Sequence, residues 1–154
     1  MPEIWFYHLQ HQPLERALPS LLEKALERGW RVVVQATADE RLDALDDLLW
    51  TYAEASFLAH GRARDGDAEM QPVYLTTGSE NPNGARLRLF VDGADVEALI
   101  ANDAGAYERL ILLFDGGDDE QLTRARAQWK TLKEQGHTLA YWQQGERGGW
   151  EKRA

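Results

Sequence analysis

The sequence predicts a single three-layer α/β/α domain built on a mixed, mostly parallel sheet. Three observations predict it. Short apolar runs rich in aromatic and β-branched residues alternate with stretches of helical periodicity. The chain has 154 residues, the size of one ordinary domain, and 44% of them are hydrophobic, enough for one core. Strands separated by helical crossovers imply a parallel or mixed sheet, and each apolar strand needs cover on both sides.

The elements follow in order. Residues 4–7 (IWFY) read as the first strand. Pro13 opens a helical stretch at its first turn, with Leu14, Leu18, Leu21, Leu22, Ala25 and Leu26 as its stripe; Pro19 either kinks this helix or marks its start, and Gly29 ends it. Residues 30–34 (WRVVV) form a buried strand. A second helix runs from Asp39 to about Tyr52 on Leu42, Leu45, Leu48 and Leu49. Residues 54–71 read as loop, 72–76 as a strand, and 78–84 (GSENPNG) as turn material that should join an antiparallel or edge pair. A strand with visible alternation covers 87–91, a short helix 96–101, and a buried strand 110–114. The last long helix spans 118–135, and a closing strand spans 138–142.

Composition removes several function classes. There is no cysteine, hence no disulfide, thiolate nucleophile or Cys-ligated zinc. No apolar run approaches the roughly 20 residues of a membrane span, and the N-terminus lacks the basic start of a secretory signal. A cytoplasmic protein fits both observations. The net charge of −9 opposes direct binding to phosphates unless basic residues gather on one face.

Nucleotide-binding motifs are absent. Neither Gly-x-x-x-x-Gly-Lys-Ser/Thr nor Gly-x-Gly-x-x-Gly occurs, and bulky side chains fill residues 8–13 where the backbone would have to approach a phosphate. No cofactor is expected. His8 and His11 have no third ligand nearby in sequence and read as polar residues at a strand end and in a loop, while His60 and His137 stand alone. Asp115, Asp118 and Asp119 are the sharpest enzyme-like cluster. They suit either a divalent-metal phosphohydrolase or an acidic first helical turn that complements the helix dipole.

The last helix carries the most chemistry. Arg126, Trp129, Lys130 and Lys133 are three, four and seven positions apart and share one face. An indole among three cations can receive an aromatic group beside a carboxylate. The same residues also fit a basic C-terminal turn with Trp129 in the core and snorkelling lysines. Trp50, Tyr52 and Phe57, where the second helix passes into its loop, suit either a partner surface or the edge of the core.

Several ordered segments resemble the DNA polymerase III chi subunit family between Trp5 and Trp142. They are Phe6-Tyr7, residues 25–32 (ALERGWRV), residues 42–51 (LDALDDLLWT), Ser56-Phe57-Leu58-Ala59-His60-Gly61, Pro72-Val73 and Asn81-Pro82. The resemblance implies a mononucleotide-binding type of fold without the phosphate loop, in a chi-like domain of residues 1–142 with a tail of 143–154. It implies a non-catalytic adaptor of the polymerase III holoenzyme in DNA replication. The partner on the last helix would be the acidic C-terminal tail of single-stranded DNA-binding protein. The family's tail-binding positions match Arg126, Trp129, Lys130 and Lys133, with tyrosine frequent where this chain has Trp129, and Phe114 is placed at the apolar end of that site. A second surface, Trp50 and Phe57 with His60 nearby, would receive the clamp-loader psi subunit or a helicase-like protein, although Ala53 and Ala59 stand where some relatives have proline. Sequence-specific nucleic acid binding and membrane contact are not expected. Single-stranded DNA binding by the basic face is the remaining rival to tail binding, and the −9 charge opposes it.

Overall fold

Each predicted apolar run becomes a strand of one eight-stranded sheet, in a computed structural model that describes residues 2–10, 12–51, 60–103, 105–146 and 149–154. The strands are β1 (Glu3–Leu9), β2 (Val32–Gln35), β3 (His60–Arg62), β4 (Val73–Thr76), β5 (Leu87–Phe90), β6 (Arg109–Asp115), β7 (Leu139–Gln144) and β8 (Trp150–Lys152). The helices are α1 (Leu14–Glu27), α2 (Asp39–Thr51), α3 (Val96–Asp103) and α4 (Asp119–Glu134). The strand order is β3-β4-β2-β5-β6-β1-β7-β8, and every pairing but β7–β8 is parallel. The mixed, mostly parallel α/β domain is therefore as expected.

Two cores lie on the two faces of the sheet. Alternate strand residues such as Val32, Val34, Leu89 and Leu113 meet α1 and α2 through Leu18, Leu22, Leu45 and Leu49. The intervening residues Ile4, Phe6, Val33, Phe90 and Leu112 meet α3 and α4 through Val96, Leu99, Ala125 and Leu132. Full burial of one such leucine or phenylalanine contributes about 1.5–3 kcal/mol. Helix α1 starts after Pro13 and continues through Pro19, whose ring is buried among the core residues.

The connection from β4 to β5 corrects the antiparallel pairing expected of residues 78–84. Strand β2 lies between β4 and β5 and is parallel to both. The chain must therefore return across a sheet face from one edge to the other, and it does so without a helix. Arg88 anchors this crossing. Its guanidinium, 0% exposed, donates to the carbonyls of Gly78 and Glu80, to Gln35 Oε1 and to Tyr107 Oη. Asn83 holds the far end, donating from Nδ2 to the carbonyls of Val32 (3.2 Å) and Gln71 (2.8 Å).

Two strands have no counterpart in the sequence reading. Strand β3, within residues read as loop, pairs with β4 in the register His60↔Val73, and its sequence HGR has no strand propensity. Strand β8 lies within residues 143–154 and pairs antiparallel with β7. Gln144 at the end of β7 is 2% exposed, and its Oε1 accepts from the backbone N–H groups of Gln10 and Gln12. It thereby fastens the β1–α1 connection to the sheet edge.

Candidate functional site

Helix α4 displays the basic face that the spacing predicts. Ala125, Gln128 and Leu132 point into the domain, so Arg126, Lys130 and Lys133 are left exposed. Among the described residues none of these three cations has a carboxylate within ion-pair distance, whereas Arg41, Arg109 and Arg124 each do. Trp129 lies at the boundary, half-buried, edge-on to Phe6 at 5.2 Å and to Tyr141 at 5.7 Å between ring centres. Trp129 therefore packs on the core, while the three cations lie on the exposed side of the helix.

Beside this face, the carboxyl ends of β1 and β6 and the middle of β7 supply an aromatic floor. His8 and Phe114 are register partners, with ring centres 5.0 Å apart. Tyr141 meets Phe114 edge-on at 6.1 Å, and its Oη lies 2.7 Å from His8 Nδ1. Phe114 is 3% exposed and supports this floor from within, while His8 and Tyr141 are half-buried above it. His8 and Tyr141 are the site neighbours that sequence reasoning missed. His8 was set aside as a metal ligand for want of partners, and its period-2 relation to Phe6 was the available signal.

The electrostatics tie the floor to the helix. Burial lowers the His8 pKa, the positive charge of Arg126 lowers it further, and Asp115 opposes them. Burial raises the Tyr141 pKa, and Arg126 pulls it back. The His8 imidazole is thus held toward its neutral form. Replacing Arg126 with alanine is expected to move the His8 titration upward, read from its imidazole NMR shifts; an unchanged midpoint would place Arg126 away from the floor. The sign for stability follows. The unfolded chain takes up a proton near the ordinary value of 6.5, before the folded one does. His8 thus contributes stability above that pH, and the contribution is lost as pH falls from 6.5 through the lower folded value.

The second expected surface lies at the far edge of the sheet. Trp50 is 56% exposed at the end of α2 and meets the His60 ring edge-on at 5.1 Å. His60 is buried, with Nε2 2.6 Å from Asp46 Oδ1. Arg62 bonds Asp43, and that bond holds the Asp43 carboxyl below its ordinary pKa. These contacts brace β3 against α2. Phe57, Tyr52, Ala53 and Ala59 lie outside the described residues, as does His11.

Two of the three carboxylates that suggested an enzyme, Asp115 and Asp118, have structural partners. Asp118 caps α4, accepting from the N–H groups of Glu120 (3.0 Å) and Gln121 (3.2 Å). Asp115 Oδ1 accepts from Gly117 N at 2.8 Å, closing the turn. Among the described residues no three His, Asp or Glu side chains gather as a metal set. The crevice at the carboxyl ends of the strands, where related folds hold nucleotides, is about 330 Å³ and is lined by Glu15, Asp92 and Asp115. Its cation among the described residues, Arg41, is already bound to Asp92 at 2.8 Å and lies 3.8 Å from Glu15. No helix among the described residues is long and apolar enough to cross a membrane.

Residues 1–140 match the family model described as DNA polymerase III chi subunit, HolC. The chain is 26% identical over 117 residues to a protein of Rickettsia prowazekii (strain Madrid E) named probable DNA polymerase III subunit chi, a match covering 75% of this chain and 71% of that protein.

Proposed function

The chain belongs to the DNA polymerase III chi subunit family, whose role is in DNA replication, and from that footing we propose that it is a non-catalytic adaptor working in the cytoplasm. It links the clamp loader, through its psi subunit or a helicase-like protein in that place, to the acidic C-terminal tail of single-stranded DNA-binding protein. The tail meets Arg126, Trp129, Lys130 and Lys133, over the floor that Phe114 supports. The other partner meets the surface of Trp50, Phe57 and His60.

One observation carries the tail-binding reading: three exposed cations with no carboxylate partner among the described residues flank a half-buried indole in a chain of net charge −9. Most of this protein's surface repels an acidic peptide, so this face supplies the local attraction. The peptide's carboxylates can take the places next to Arg126, Lys130 and Lys133, while its terminal aromatic ring packs against Trp129. Tail binding orders a disordered segment on a small exposed interface, which keeps the affinity in the micromolar range, about −8 kcal/mol. Screening by salt weakens it further.

The test is fluorescence anisotropy with a labelled acidic peptide ending in Asp-Phe and a free carboxylate. Wild type should bind saturably, more weakly as salt rises. Arg126→Ala should weaken binding about tenfold, the loss of one charge-assisted hydrogen bond of about 1.5 kcal/mol. Trp50→Ala, on the other surface, should leave affinity within about twofold. Folded wild type that fails to bind at high micromolar peptide would remove the tail from the proposal and leave the Trp50 surface as the functional one.

A further inference from the structure

A second cationic and aromatic site lies at the opposite, amino-terminal edge of the sheet, on the face covered by α1. There Arg109, the first residue of β6, stacks its guanidinium 3.7 Å over the Trp5 ring and 5.4 Å from the Trp30 ring. Arg28, just past α1, stacks 4.2 Å over Trp30. The four side chains form a ladder of alternating indoles and guanidiniums. It borders a groove of about 430 Å³, walled by Leu21, Ala25 and Ile111 and edged by Lys24. Farther along the sheet, Trp142 packs on Trp5 at 5.3 Å and Trp150 on Tyr7 at 4.5 Å, so four of the chain's six tryptophans lie in one belt.

A core does not require this arrangement. A half-buried arginine among tryptophans gives up hydration that an aliphatic residue would not lose. Burial indeed lowers the Arg109 pKa, as does the Arg28 charge beside it. Its ion pair with Glu3, at 3.6 Å, leaves Arg109 Nε buried without an acceptor. Trp142 Nε1 in the same belt also lacks one. Three cations beside partly exposed indole faces call for a ligand with flat rings, acceptor atoms and negative charge. A nucleotide unit has all three, and base stacking on aromatic residues with arginine beside them is how single strands are held without regard to sequence. Lys24, Arg28 and Arg109 outnumber Glu27, the carboxylate lining the groove, and Glu3, the partner of Arg109, which makes the groove locally positive on an acidic protein.

We propose that the Trp5–Arg109–Trp30–Arg28 ladder and its groove form a contact site for single-stranded nucleic acid, one that stacks one or two bases against Trp30 and Arg28 and sets their phosphates near Lys24. The site is separate from the α4 face and does not depend on the tail-binding reading. It brings the strand itself into contact with the adaptor, with low affinity and little preference for sequence.

The test is anisotropy of a labelled twelve-residue oligothymidylate with the full chain at low salt. Wild type should bind saturably, and binding should fall as salt rises. Arg28→Glu, a change at an exposed position, should weaken binding about tenfold, with circular dichroism unchanged. Lys130→Glu on α4 should have little effect. No saturable binding by wild type overturns the proposal, as does a larger loss in Lys130→Glu than in Arg28→Glu, which would move the contact to the α4 face. Thymidine monophosphate is the competitor. Displacement at concentrations equal to those of the oligonucleotide, counted per nucleotide, would assign the groove to free nucleotides and overturn the single-strand assignment.

Discussion

Arg88→Met should destabilise the protein by about 3 kcal/mol, through loss of the tie that holds residues 77–86 on the sheet. Methionine fills similar space, so the cavity contribution is small. The polar contribution is large. Gln35 Oε1, the Gly78 and Glu80 carbonyls and Tyr107 Oη all lose a charged donor in a site that is 0% exposed. Each acceptor left dry costs about 1–3 kcal/mol, and release of the loop to water recovers part of that sum. The Glu80 carboxyl reports the same event. Burial raises its pKa, but its own backbone N–H, Thr76, Tyr74 and the Arg88 charge outweigh burial and hold it low. Urea unfolding of the variant should show a lower midpoint with little change in slope. A loss below about 1 kcal/mol would mean that the crossing segment is held without Arg88.

Gly116→Ala should disturb the candidate tail site from beneath. A Cβ at Gly116 would run into the His8 imidazole and come within 3.0 Å of the Leu9 carbonyl. The Leu9 carbonyl is fixed, because it already accepts from Gly116 N at 2.9 Å. His8 must therefore turn away, losing its contacts with Phe114 and Tyr141. The expected cost is about 1–3 kcal/mol, typical of overpacking. The His8 pKa should also rise toward its ordinary value as the ring leaves its buried position. Gly105→Ala, where a Cβ meets nothing within 4 Å, is the matched control and should leave stability within about 0.5 kcal/mol. Equal melting temperatures for the two variants would show that the His8 ring yields freely and does not organise the site.

Much of the architecture was legible because it is written locally. The helical stripe of Leu18 and Leu22, and the runs around Val32–Gln35 and Arg109–Asp115, need only their own periodicity to declare helix or buried strand. The basic face of α4 was legible for the same reason, since residues three and four apart on a helix are neighbours in any fold. Arg88 was not. Its alternation with Leu87 and Leu89 gives no sign of what it bonds, and only the tertiary fold places the crossing segment and Tyr107 around it.

The chain by itself thus determined the layer architecture, the absence of the standard nucleotide motifs, and the set Arg126, Trp129, Lys130 and Lys133 on one helix face. Tertiary structure alone decided that β2 separates β4 from β5, that HGR becomes the edge strand β3, and that His8, Phe114 and Tyr141 meet. The reason is range. Helical faces and apolar runs arise from interactions within a few residues, whereas His8 and Tyr141 stand 133 positions apart. Their contact exists only because β1 takes its place between β6 and β7, a choice made by the packing of the whole sheet.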